Sequence, residues 1–209
     1  MQSRLPIGYS EFFRIREEGL TYVDKSALIS DVIRSPRLAV LLPRPRRFGK
    51  TLNLTMLRAF FDADGPDRRG LFEGLAVSRS GPDVLEHQGQ HPVIFLTFKD
   101  TKHRTWAEAF ADLSEVVASE VLRLRETYQL RATSPEVQAR FDALAARRAE
   151  PVDVQRALRL LCELVHARTG KSVVILIDEY DTPIRASLAW QVAVVFDGKR
   201  AWVTAERAG

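Results

Sequence analysis

The chain reads as an α/β sandwich on a mainly parallel sheet, and three observations point there. Short apolar runs rich in branched residues alternate with longer stretches of helical period. One run, Ser172 to Asp178 ("SVVILID"), is apolar at successive positions, so both of its faces need cover, as in a central parallel strand. A third run is followed at once by Gly49-Lys50-Thr51 and a helical stretch, the strand-loop-helix order of an α/β unit.

Taken in order, "RLAVLLP" (Arg37 to Pro43) and "PVIFLTF" (Pro92 to Phe98) are predicted as buried strands beside prolines. Thr51 to Asp62, Thr105 to Tyr128 and Val152 to Arg168 carry helical spacing, the last stopping at Gly170. Ser134-Pro135-Glu136 places a capping serine and a first-turn proline at the head of a further helix. Near the end, Asp197-Gly198 joins two apolar runs and supplies the positive-φ residues of a two-residue hairpin turn.

Composition limits the function classes. With 209 residues and 45% apolar content, the chain can bury a substantial core. Its 31 basic and 27 acidic residues leave a net charge of +4, which fits phosphate or nucleic-acid partners but is too small to argue for either alone. The single cysteine, Cys162, lies in an apolar run, so no internal disulfide forms, and a buried structural thiol in a reduced, cytoplasmic compartment is expected. No apolar run has the length of a signal peptide core or a membrane span. His87, His91, His103 and His166 lack metal-ligand spacing and are read as surface or core residues, while Trp106, Trp190 and Trp202 are read as core or hairpin packing.

The chemistry concentrates in "RPRRFGKT" (Arg44 to Thr51). A phosphate loop needs backbone amides turned inward, a lysine for the β and γ phosphates, a hydroxyl for Mg²⁺ and a following helix N-terminus. Phe48-Gly49-Lys50-Thr51 supplies the end of such a loop, but Arg44 stands where G-x-x-x-x-G-K-[ST] has its first glycine. A second signal is Asp178-Glu179, at the end of an apolar strand. There an aspartate holds Mg²⁺ and a glutamate activates water in phosphate-loop enzymes, although "DEYDTP" is also good turn chemistry. Both signals fall at C-terminal ends of predicted parallel strands, where open α/β sheets bind ligands.

Four segments, "LPIGYSEFFRIREEGLTYVDKSALI", "RPRRFGKTLNLTML", "HPVIFLTFKD" and "VVILIDEYDTPI", resemble in that order the AAA-ATPase-like proteins of bacteria and archaea across residues 5 to 184. In that family arginine at the first-glycine position is the ordinary form. The resemblance implies a P-loop NTPase-type three-layer sandwich. It also implies a nucleotide-binding stretch of Arg46, Arg47, Phe48, Gly49, Lys50, Thr51 and Leu52, with Mg²⁺ on Thr51 and Asp178, and Glu179 as general base. Arg46 and Arg47 either add charge to the phosphates, dock a neighbouring subunit, or form a solvated basic turn. No role is assigned to Tyr22, Asp24 and Lys25 of "TYVDKS".

Beyond Ile184 the resemblance to the ATPase domain stops, and the strand that would carry a γ-phosphate sensor is missing. The tail instead is similar to the last hairpin of the nuclease domain that family members carry. The expected division is 1–186, the N-terminal part of an ATPase domain with an incomplete sheet, and 187–209, a hairpin joined near Ser187-Leu188 after loss of the centre of a longer parent. Function is therefore expected to be ATP binding with Mg²⁺-dependent hydrolysis, in a homo-oligomer or beside a nuclease partner. The alternatives are an inactive remnant acting through protein partners, or a basic nucleic-acid module using Arg44 to Arg47 and Arg147-Arg148.

Overall fold

The computed structural model describes residues 5–36, 39–40, 49–98, 105–132, 134–178 and 194–195. The chain divides into two units, Met1–Val93 and Ile94–Gly209.

The first unit is built around aromatic residues. Helix α1 (Phe12–Glu17) and helix α2 (Ala27–Arg34) precede a short strand β1 (Ala39–Val40), helix α3 (Lys50–Phe61), two 3-10 turns (Arg69–Phe72 and Ala76–Arg79) and helix α4 (Pro82–Leu85). Phe12 of α1 and Phe60 of α3 are fully buried and both meet Phe72, with ring centroids 5.0 and 5.4 Å apart. Tyr22 closes the same cluster edge-on against Phe12 at 5.1 Å. Aromatic pairs at these distances add to the burial of their area, so α1 and α3 are fixed to one another through their rings. Polar contacts set the register: the Phe12 amide donates to Thr55 Oγ1 at 3.1 Å, and Arg16 donates to the carbonyls of Leu71 and Glu73. The end of α3 is tied to the chain before the second strand, Ala63 N–H donating to His91 O and His91 N–H to Phe61 O, both at 2.9 Å.

In the second unit, strand β2 (Val93–Thr97) pairs with strand β3 (Val174–Asp178), and the two form a small parallel sheet. All five residues of β3 are buried, as its unbroken apolar run requires. Helices α5 (Trp106–Tyr128), α6 (Pro135–Ala145) and α7 (Pro151–Thr169) pack with the sheet around one core that includes Ile94, Val121, Leu124, Phe141, Val165 and Ile175. Their ends follow the local chemistry. Thr105 and Glu108 form a reciprocal capping box on α5, Ser134 accepts the Val137 amide at 3.3 Å with Pro135 behind it, and α7 stops at Gly170 with φ at 67°. Cys162 is buried in this core, and burial pushes its thiol up to about 12, which makes it an inert packing group. A last strand, β4 (Val194–Val195), lies beside β3.

The α/β class is met in this form, as helices with a small parallel sheet. The helices predicted from Thr51, Thr105, Ser134 and Val152 are present within a residue or two of their expected bounds. Of the run Arg37 to Pro43, Ala39–Val40 is strand. The rest of that run, the turn at Asp197-Gly198, the junction at Ser187-Leu188, Trp190 and Trp202 lie outside the described residues. Two expectations change. No element was predicted before residue 37, yet α1 and α2 are there, held by their contacts to α3 and the turn at Ala76–Arg79. Trp106 is not core: it is 55% exposed, because it is the first residue of α5 and leans on Phe110 outside the buried stripe.

Glu120 shows how the sheet is finished. It lies on α5, only 6% exposed; its Oε1 accepts the Phe95 amide of β2 at 2.9 Å, and Arg123 donates to both carboxylate oxygens at 2.8 and 2.7 Å. A helix side chain therefore covers a strand amide. Replacing it with alanine withdraws the acceptor from Phe95 and the counter-charge from Arg123, at a cost of about 2 kcal/mol. Urea unfolding of Glu120→Ala is expected to show a lowered midpoint at an unchanged m-value.

Candidate functional site

The site grows from the first turn of α3. Gly49 sits at the N-cap with φ 74° and ψ 31°, the left-handed region that side-chain-bearing residues avoid. A methyl group added there would meet only ordinary contacts, 3.8 Å to Lys25 Nζ and 4.0 Å to Leu52 Cβ. Backbone conformation, not crowding, is what demands glycine. From this turn the helix starts at once: Gly49 O accepts the Asn53 amide at 2.9 Å, and Lys50, Thr51 and Leu52 fill the first three helical positions.

The charge of this turn is the reverse of the usual pattern. Helices α5, α6 and α7 each place an acid in the first turn, Glu108, Glu136 and Asp153, where the partial positive charge of the helix end favours one. Helix α3 has no acid there and no side-chain cap, and its first residue is Lys50. An end of this kind presents backbone N–H groups and a cation to whatever lies in front of it, which is the physical basis of anion binding at helix starts.

The turn is rigidly supported. Thr55, one turn along, binds the Phe12 amide, the Tyr22 hydroxyl donates to Met56 Sδ at 3.1 Å, and Phe60 and Phe61 anchor the far end in the aromatic core. Burial pushes the Tyr22 phenol above its ordinary range, so it remains a neutral donor. Next to Tyr22, Asp24 accepts the Ser26 amide at 2.8 Å and the Ala76 amide at 2.7 Å, while Ser26 Oγ, fully buried, accepts the Val77 amide at 3.0 Å. Burial opposes ionisation of Asp24, but these hydrogen bonds, with the Arg79 charge, outweigh it and hold the carboxyl below the usual range.

Asp178 is the last residue of β3, 1% exposed, and its carbonyl accepts the Phe98 amide at 3.0 Å. It therefore stands at the carboxyl end of a parallel strand, where the sequence placed it. Of the other expected site residues, Gly49, Lys50, Thr51 and Leu52 open α3 together, while Arg46, Arg47, Phe48 and Glu179 lie outside the described residues. Sequence reasoning gave no role to Lys25, whose ammonium reaches the start of α3.

Groups singled out for other chemistry have ordinary places. His87 Nδ1 and His91 Nε2 are 2.9 Å apart with their rings stacked, and His166 Nδ1 donates to the Lys171 carbonyl. Among the described residues no group of three His, Cys, Asp or Glu side chains is placed to hold a metal ion by itself. Arg147, half of a suspected basic cluster, is ion-paired with Glu115 at 2.7 Å. No helix of the described residues is long and apolar enough to cross a membrane.

The family model described as "Predicted AAA-ATPase" matches residues 6–201. The chain belongs to this AAA-ATPase-like family. It is also 30% identical over 188 residues to an uncharacterized protein encoded in the vnfD 5' region of Azotobacter chroococcum mcd 1; the match takes in 90% of this chain and 31% of that protein. The chain thus spans about a third of that relative's length. No solved structure matches it.

The clamp at Asp24 makes a test of the scaffold. Because its carboxyl ionises more readily in the folded chain, the stabilisation is present above the ordinary aspartate range and is lost as pH falls through the lower folded value. Asp24→Asn is expected to be the less stable protein at neutral pH, with the gap to the parent closing below about pH 4 in urea titrations. A gap that stays constant down to acid denaturation would contradict the assignment.

Proposed function

We propose that the chain is an ATP-binding P-loop protein of the three-layer sandwich type, with its triphosphate site at the start of α3. The observation that carries this is the left-handed Gly49 leading into an uncapped, acid-free first turn headed by Lys50, in a chain of the predicted AAA-ATPase family. Backbone amides of this turn hold phosphate oxygens, and Lys50 neutralises the terminal phosphates. Arg46, Arg47 and Phe48 complete the loop. Thr51 offers a hydroxyl and Asp178 a carboxylate, hard oxygen donors of the kind Mg²⁺ prefers, and the ion would supply charge to offset that developing on the phosphates. Glu179 then takes the proton of the attacking water.

The second reading, a protein that binds nucleotide without turning it over and acts through partners, differs only in this last step. One pair of variants separates them. Calorimetric titration of Lys50→Ala with Mg·ATP is expected to show binding lost or weakened by a hundredfold or so, because the cation facing the phosphates is gone. Glu179→Gln is expected to bind like the parent and release phosphate at a rate lower by about two or more orders of magnitude. Parent-like binding by the lysine variant contradicts the site, and a parent that binds ATP but releases no phosphate establishes the second reading.

A further inference from the structure

We propose that Lys25 is a second phosphate-binding cation of this site, contacting the polyphosphate chain in front of α3 alongside Lys50; the inference rests on the nucleotide reading of that site. Its position comes first. Lys25 Nζ is the closest side-chain atom to the face of Gly49 that a Cβ would occupy, at 3.8 Å, although 24 residues separate the two along the chain (49 − 25 = 24). Gly49 is the residue at which the chain enters the helix, so an ammonium there faces the same space as the first-turn amides.

The backbone around Lys25 is held from both sides. Asp24 and Ser26 fasten their side chains to the amides of Ala76 and Val77, and Lys25 O accepts the Leu28 amide at 3.1 Å as α2 begins. These contacts fix the stem from which the side chain extends and do not engage its ammonium. Lys25 is partly buried, and among the described residues no carboxylate pairs with it. The nearest acid in sequence, Asp24, is taken by the amides of Ser26 and Ala76 with Arg79 behind it. A structural lysine would show an ion pair or would cap a carbonyl, and among the described residues Lys25 has neither.

Electrostatics then asks for an anion. The Lys25 ammonium lies beside Gly49 and Lys50 is the first residue of a helix with no acid in its first turn, so like charges gather at the positive end of α3 and weaken the folded state when no anion lies there. A polyphosphate relieves all three repulsions together, and each added phosphate gives the second ammonium more to neutralise. The inference therefore includes a ranking: Lys25 matters most for the triphosphate and less for shorter chains.

Calorimetric titrations of the parent, Lys25→Met, Lys25→Gln and Lys25→Arg with Mg·ATP and Mg·ADP, together with ligand-free thermal melts, test this. The methionine and glutamine variants are expected to bind Mg·ATP about tenfold more weakly or worse, with a smaller loss for Mg·ADP, and with ligand-free melting at or slightly above that of the parent, since one repelling charge is gone. The arginine variant should retain affinity within about threefold, since it keeps the charge. Loss of affinity should also come with a weaker dependence on salt, which a packing role would not change. Parent-like ATP affinity in both neutral variants overturns the inference and leaves the α3 site standing. No nucleotide binding by the parent overturns the site itself, and this inference with it.

Discussion

Everything proposed for this chain depends on one backbone event, the left-handed turn at Gly49 that launches α3 without a cap. Two helix starts are settled by their own side chains, α5 by Thr105 and Glu108 and α6 by Ser134. Such ends have fewer free amides to offer a ligand. The start of α3 is left open, and it is kept in shape from behind, through Thr55 on the Phe12 amide, the Tyr22 hydroxyl on Met56 and the rings of Phe60 and Phe72. The aromatic core of the first unit thus has a functional consequence: it supplies from packing the rigidity that a capped helix obtains from its cap.

The same division of labour recurs around Asp24 and Ser26. Their side chains bind amides some fifty residues away, at Ala76 and Val77, and so place the residue between them. In the second unit the corresponding element is the wholly buried strand β3, which carries Asp178 to its end, with β2 paired on it and Glu120 covering an amide of β2. Ser26 in the first unit and Glu120 in the second, both buried, complete backbone hydrogen bonds, as buried polar groups must.

How far the sequence revealed this depended on the range of the interactions. Local rules were enough for α5, α6 and α7, where Thr105, Ser134-Pro135 and Gly170 mark the ends, and for β3, whose apolar run has no polar position to face water. The first helical residues of the site, Lys50 and Thr51, were legible as a motif because a phosphate loop is a local structure. Lys25 was not, because its place beside Gly49 is decided by contacts of Asp24 and Ser26 with a distant turn, and such contacts leave no period or spacing behind. Helices α1 and α2 escaped for a related reason: six and eight residues are too few to make a helix stable by itself, and tertiary contacts hold them. Trp106, read as core or hairpin packing, is exposed because of where α5 starts.

The most direct test of the central claim is a two-dimensional amide NMR titration of the isotope-labelled chain with Mg·ATP, followed at Gly49, Lys50, Thr51 and Leu52. These amides are predicted to shift together and most strongly, saturating with one ligand, while Mg²⁺ with adenosine leaves them in place because it lacks the phosphates. Shifts confined to other parts of the chain, or none at saturating ATP, would contradict the account.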